Sequence, residues 1–333
     1  PTDYFNTVLY TGNGTTNTGI TGVGFQPDWV WIKSRNSASY NNFIFDVIRG
    51  ATKYIKSDAT SAENTLAESL KSFDSDGFTV GTEADVNNNT TTYASWNWLA
   101  GGSASSNTDG SITSSVSANT TAGFSIVSYT GTGSNATVGH GLGSALDFII
   151  VKKRNGTTSW CTTGTPNGWD VSLFLDTTDQ NGSYTFWQST APTSSVFSID
   201  GSSAVNGSSD TFIAYCFAEK QGYSKFGSYK GNANADGPFI YTGFKPAFVM
   251  NKLTSGADDW QILDNKRNPY NVTNLYLKPN GSDAETTNNA IDFLSNGFKL
   301  RTSAGSWNPN GGTFIYMAFA EAPFVSSGGI PTT

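Results

Sequence analysis

Apolar residues in this chain fall in short runs, and polar residues break them before any helical period can establish itself. Val8-Leu9-Tyr10, Trp29-Val30-Trp31-Ile32, Phe43-Ile44-Phe45, Phe148-Ile149-Ile150-Val151 and Phe212-Ile213-Ala214-Tyr215 are β-branched and aromatic, and clusters of Gly, Asn, Ser, Thr and Asp bound them. Such runs predict strands, and the continuous apolar ones predict buried strands. Leu66 and Leu70 stand four apart within Ser61 to Leu70, yet the stretch is short and reads as an irregular excursion between strands.

The strand pattern repeats. Val8 to Lys33, Ala122 to Lys152 and, more loosely, Phe226 to Lys252 each open on a strand ending in Tyr-x-Gly (Tyr10, Tyr129, Tyr229), cross a Gly/Asn/Thr-rich loop and enter a buried strand ending in Lys33, Lys152 or Lys252. Each unit closes on a matching run: Thr92 to Trp98, Thr211 to Phe217, Thr313 to Phe319. Upstream of the closing run lie Phe73-Asp-Ser-Asp-Gly-Phe78 and Phe293-Leu-Ser-Asn-Gly-Phe298, with a degenerate Val196 to Asp200 between. A period of about 100 residues suits a whole domain and is too long for a solenoid unit. The chain therefore predicts an all-β protein of three tandem β-sandwich domains, jelly-roll or lectin-like in kind. The expected bounds are 1–102, 122–222 and 223–325, with a Gly/Ser/Thr-rich linker over 103–121 and a tail over 326–333. The linker holds almost no large apolar residue, so it should run extended and leave the first domain free to orient by itself, while the second and third form one body.

Composition narrows the function. Charged residues make up 14%, against about 25% in an ordinary globular chain. The aromatic content of 14%, with nine Trp, supplies packed cores and argues against disorder. A net charge of −7 disfavours nucleic acid as a partner, because phosphate contacts need clustered Lys and Arg. No run approaches the length of a membrane-spanning helix. The start at Pro1 shows no basic-then-apolar leader, although removal of one, or of an initiator Met, would leave the same start. Cys161 and Cys216 both fall in the second repeat; their pairing is open from sequence, and buried free thiols are the reading taken.

Candidate chemistry is sparse. Gly139-His-Gly-Leu-Gly143 runs into a strand, whereas a phosphate loop must run into a helix N-terminus, so tight turns account for its glycines. His140 is the one histidine, with no nucleophile elbow and too few cysteines beside it for a triad or a zinc site. Asp74, Asp76, Asp258, Asp259, Asp264 and Asp292 are the candidates for a glycosidase-like acid pair. They scatter over the repeats, and Asp74 and Asp76 sit where a turn requires Asp. A calcium site on Asp74 and Asp76 lacks a recognisable loop. No catalytic residue, metal or cofactor is assigned. Asp46-x-x-Arg49 and Asp264-x-x-Arg267 occupy matching places and read as ion pairs that pin a loop. Trp29, Trp31, Trp96 and Trp98 follow strand positions and read as core or inter-domain contacts. Trp160, Trp169, Trp187, Trp260 and Trp307 lie outside the most regular strands and are the candidates for stacking on sugar rings.

Tyr4 to Gly14, Gly22 to Lys33 and Ser115 to Val127 together resemble a repeat domain common in structural proteins of marine and aquatic bacteriophages, often of tail-fibre or fibre-like type. The third repeat departs from that pattern in lacking the His-Gly-Leu-Gly segment. The resemblance implies a virion surface protein, a tail fibre, fibre-like element or capsid decoration. It would be a homo-oligomer, conceivably a trimer, contacting other virion proteins and attaching to host cell-surface polysaccharide. A depolymerase tailspike and a secreted bacterial adhesin or filament subunit are the rival expectations.

Overall fold

The computed structural model describes residues 1–323, so the expected tail at 326–333 lies outside the described residues. The first repeat carries β1 (Phe5–Thr11), β2 (Thr18–Thr21), β3 (Trp29–Ser34), β4 (Phe43–Asp46), β5 (Lys53–Lys56), β6 (Asn64–Thr65), β7 (Leu70–Asp74), β8 (Gly77–Val80), one helical turn α1 (Ala84–Asn87) and β9 (Thr92–Trp98). The second carries β10 (Ser105–Asn107), β11 (Ser114–Asn119), β12 (Phe124–Thr130), β13 (Ala136–Gly139), β14 (Phe148–Lys153), β15 (Cys161–Gly164), β16 (Gly168–Phe174), β17 (Val196–Ile199) and β18 (Thr211–Phe217). The third carries β19 (Ser224–Lys230), β20 (Phe239–Tyr241), β21 (Phe244–Leu253), β22 (Gln261–Asp264), β23 (Thr273–Tyr276), β24 (Thr286–Leu294), β25 (Gly297–Leu300) and β26 (Thr313–Pro323).

One plan is used three times. The opening strand pairs with the closing strand, the closing strand with the lysine strand, and that strand with the next: β1-β9-β3-β4, β12-β18-β14-β15 and β19-β26-β21-β22. All of these pairings are antiparallel. A second sheet accompanies each, in the orders β2-β8-β7, β13-β17 and β20-β25-β24-β23. The fold is all-β and sandwich-like.

Strand alternation gives each large sheet two buried faces. Val30 and Ile32 of β3 point into a core with Ile20, Phe78 and Val80 of the first repeat's small sheet. Trp29 and Trp31 point the other way. They meet Phe148, Ile150 and Tyr215 of the second repeat and Phe248, Met250 and Phe319 of the third in one shared aromatic core. The second and third repeats keep their own outer cores in the same manner. Trp29, Trp31, Trp96 and Trp98 thus occupy inter-repeat positions, as their strand pattern suggested.

The expected linker is corrected. Within 103–121, β10 and β11 extend the second repeat's large sheet beside β12. Ile112 and Val116 are buried in that repeat's outer core. Sheet-edge pairing needs backbone groups and only an occasional apolar side chain, which this small-residue stretch supplies. The first repeat is not freely tethered either: Asp28 Oδ2 accepts the backbone N–H groups of Ala100 (2.8 Å) and Gly102 (3.0 Å), and Gly101 N–H bonds Ser117 Oγ at 3.0 Å.

The Tyr-x-Gly signature has a physical cause in each repeat. Tyr10 stacks on Tyr93, Tyr129 on Phe212 and Tyr229 on Phe314 across the opening and closing strands. Their hydroxyls donate to the carbonyls of Val86, Val205 and Trp307. A side chain on Gly12, Gly131 or Gly231 would overlap the carbonyl oxygen of Asn88, Gly207 or Pro309, so the loop closes on the strand only over a glycine.

Candidate functional site

Three seams join the repeats, and the signature lysines lie at their centres. Lys33, Lys152 and Lys252 are fully buried. Each is the penultimate residue of its strand and reaches the preceding repeat in cyclic order. Lys33 Nζ donates to Gly281 O of the third repeat at 2.6 Å, Lys152 Nζ to Thr60 O of the first at 2.9 Å, and Lys252 Nζ to Thr178 O of the second at 3.1 Å. The contacts close a ring: one to three, three to two, two to one. Burial, the largest influence, lowers each ammonium from 10.5 to about 8, while nearby carboxylates oppose it.

Two residues past each lysine, a second contact repeats. Arg35 O accepts Glu285 N–H at 2.6 Å, Arg154 O accepts Glu63 N–H at 2.8 Å, and Thr254 O accepts Asn181 N–H at 3.0 Å. In the first two seams the side chains add a bidentate fork: Arg35 to Glu285 at 3.1 and 2.9 Å, Arg154 to Glu63 at 2.9 and 3.1 Å. Thr254 and Asn181 replace arginine and glutamate together in the third.

The Asp-x-x-Arg pairs belong to the same system. Asp46–Arg49 and Asp264–Arg267 form the expected ion pairs, and their side chains are fully buried. Asp46 also accepts the Tyr215 hydroxyl of the second repeat at 2.8 Å, and Asp264 accepts the Trp96 indole N–H of the first at 3.1 Å. In the remaining seam the corresponding residues are Gly164 and Met317, placed by the same strand register. Acid and donor are lost together, which leaves neither buried without a partner.

The tryptophans proposed for sugar stacking do not present faces. Trp160, Trp187, Trp260 and Trp307 are at most 1% exposed and Trp169 is 8% exposed. Trp160 and Trp260 sit in the shared core, and their indole N–H groups donate across seams to Lys56 O and Phe174 O, at 2.8 and 2.9 Å. Trp169 and Trp187 lie in the second repeat's outer core and Trp307 in the third's. The runs that follow these residues are too short for alternation to signal their burial.

The acids are also occupied structurally. Asp74 accepts the Ser72 and Thr79 hydroxyls, and Asp76 accepts the N–H groups of Gly22 and Gly24, closing the hairpin between β7 and β8 onto the loop before β3. Asp259 pairs with Lys278 at 2.9 Å and Asp292 with Arg301 at 3.3 Å; Asp258 Oδ1 accepts the Asp259 N–H. His140 is buried, its Nδ1 accepting Leu142 N–H at 3.3 Å and its Nε2 lying 3.3 Å from Thr193 O, and burial lowers its pKa. Cys161 and Cys216 are buried free thiols, each pushed up by burial.

Open surface lies in the outer loops. Tyr270, which the sequence did not single out, is 83% exposed. It borders a cleft of about 210 Å³ with Lys245, Asn265, Asn268, Asn271 and Phe293. Asn268 Oδ1 accepts two backbone N–H groups, from Asn274 and Leu275, which fixes the loop that carries Tyr270. A shallower cleft of about 530 Å³ in the second repeat is lined by Asn135, Thr185, Gln188, Asp200 and Ser202, with Asp200 held by Thr185 and Ser202. In the Tyr270 cleft the ring stands open, Lys245 pairs with Glu321 at 2.7 Å, and the Asn271 amide is bonded to the Phe293 backbone.

The chain belongs to the family described as Domain of unknown function (DUF7483), whose model matches residues 1–323. The match runs through all three repeats as one unit. No curated protein and no solved structure matches the chain.

Proposed function

We propose that this protein is a non-enzymatic structural component of a bacteriophage particle, tail-fibre-like or a capsid decoration, that attaches to host-surface glycans. Each repeat is taken as one jelly-roll or lectin-like sandwich unit. The observation that carries the reading is Tyr270, an open ring over an amide-lined cleft, on a body that three seams hold rigid. A preorganised platform loses little freedom when a ligand docks, which favours weak polar ligands such as saccharides. Further copies of the chain, meeting through outer faces and sheet edges, would multiply a weak site on the particle surface, as would docking to other virion proteins. The bacteriophage assignment rests on the sequence resemblance of the first two repeats.

Binding of the purified full chain to bacterial envelope polysaccharide, followed by surface plasmon resonance, tests the glycan part. Tyr270→Ala should weaken it about tenfold, the loss of roughly 1–2 kcal/mol of ring contact. Unchanged binding by that variant would remove the cleft from the reading. Release of reducing ends from the polysaccharide would favour the depolymerase instead. Residue-resolution imaging of purified particles that failed to find the protein would overturn the virion assignment and favour a secreted adhesin.

A further inference from the structure

The first seam differs from the other two in one respect that the seam itself does not require. In the second and third repeats the residue before the strand that follows the lysine strand is Trp160 or Trp260. Lys152 and Lys252 find only backbone carbonyls there: Thr60 and Thr158 for one, Thr178 and Leu253 for the other. In the first repeat that position is Asn42, fully buried, and Lys33 Nζ lies 2.8 Å from its Oδ1. The orientation of the carboxamide is fixed by its surroundings. Its Nδ2 donates to the carbonyls of Lys278, Pro279 and Gly281 at 3.2, 3.0 and 3.1 Å, so its oxygen must face the lysine. Asn42 is held through its main chain as well: its N–H donates to Asp58 Oδ1 at 3.2 Å.

We propose that Lys33 and Asn42 join in an intramolecular isopeptide bond. The Lys33 amine forms a bond from Nζ to Asn42 Cγ, and the bond from Cγ to Nδ2 breaks. One proton passes from Nζ to the departing nitrogen, which leaves as ammonia. Two side chains become one secondary amide, and no oxidant or cofactor is consumed.

The surroundings favour each part of this step. A buried amine held 2.8 Å from the amide oxygen has the amide carbon at most one C=O bond further away, so the reacting groups are gathered before any reaction begins. Burial lowers Lys33 to about 8, so a fraction is free amine near neutral pH. The three carbonyls around Nδ2 are placed to receive ammonia or ammonium as it departs. The product would tie β3 to β4 beside the seam with the third repeat.

Intact mass spectrometry of the full chain decides it. The folded protein should weigh about 17 Da less than its sequence, the mass of ammonia, and a protease digest should yield one branched peptide linking Lys33 to Asn42. Lys33→Arg should restore the full mass. Circular dichroism checks that the variant keeps the β fold. A folded wild-type chain that retains its full mass after prolonged incubation at mildly alkaline pH would overturn the proposal. So would a 17 Da loss mapped to a single linear peptide, which indicates a succinimide at an asparagine.

Discussion

A lysine withdrawn from water keeps its charge only where several oxygens replace the solvent, and the seam lysines show how narrow that margin is. Lys152 and Lys252 titrate near 10.5 when the chain is unfolded and near 8 when it is folded, with burial the main cause. Between those values the unfolded chain holds protons that the folded chain has released, so raising the pH favours folding. Below about pH 8 both states carry the charge and this contribution is flat. From about pH 9 an opposing effect begins: burial pushes up the Cys161 and Cys216 thiols and raises the Tyr129 and Tyr215 hydroxyls well above 10, so thiols and then tyrosines ionise first in the unfolded chain. Thermal stability should therefore climb from pH 8 towards 9, level off and decline above 10, in scans at fixed ionic strength. Lys152→Met should flatten the climb. A wild-type Tm that falls steadily across that window would show that the ammoniums are better solvated than their burial indicates.

At the scale of elements, the loop after each opening strand is held by one asparagine that the sequence reading passed over. Asn87, Asn206 and Asn308 are fully buried and follow the residue whose carbonyl takes the tyrosine hydroxyl. Each Oδ1 accepts a loop N–H, from Asn13, Thr132 or Asn232, and each Nδ2 returns a bond to Thr15, Ser134 or Asn234 O. Asn206→Ala leaves Thr132 N–H and Ser134 C=O without their partner, at about 1–3 kcal/mol for a buried group so stranded. Asn155→Ala, which removes an exposed cap on Thr211 N–H, should cost about 0.5 kcal/mol or less. Equal losses in denaturant titrations would refute the plug role. The contrast also marks what was legible in the chain. Tyr-x-Gly, the terminal lysines and the Asp-Gly and Asn-Gly turns are local patterns, and each marks a real strand end. Asn206 sits in a run of small polar residues, Ser-Ser-Ala-Val-Asn-Gly, where nothing in the spacing separates a buried amide from a turn. Glu63 and Arg154 were equally hidden, because their partnership spans a whole repeat. Aligning the repeats to each other would have exposed the arginine two places after Lys33 and Lys152, and its replacement by Thr254.

For the whole molecule, alternation marked Trp29, Trp31, Trp96 and Trp98 as core or inter-domain contacts, yet it could not choose between the two. The answer is a core shared by all three repeats, and it reverses the expectation of a freely oriented first domain. A fragment 1–102 would expose Phe5 and those four tryptophans, each at most 1% exposed in the full chain. At about 150–250 Å² per aromatic side chain, the bared face would be on the order of 1,000 Å², beyond the few hundred that soluble monomers tolerate. It would also lose the Gly281 carbonyl that accepts from Lys33 and the Arg35–Glu285 fork. That fragment should fail to fold as a soluble monomer, and calorimetry of the full chain should show one transition despite the three repeats. Cutting the backbone is a milder change than removing the partners. A protease site placed in the turn between β10 and β11, near Asp109 and Gly110, should give a nicked protein whose two pieces co-elute on gel filtration and separate only in denaturant. A soluble, cooperatively folded 1–102, or pieces that part on nicking, would mean that the repeats are joined by their chain alone and that the seams contribute little to holding them together.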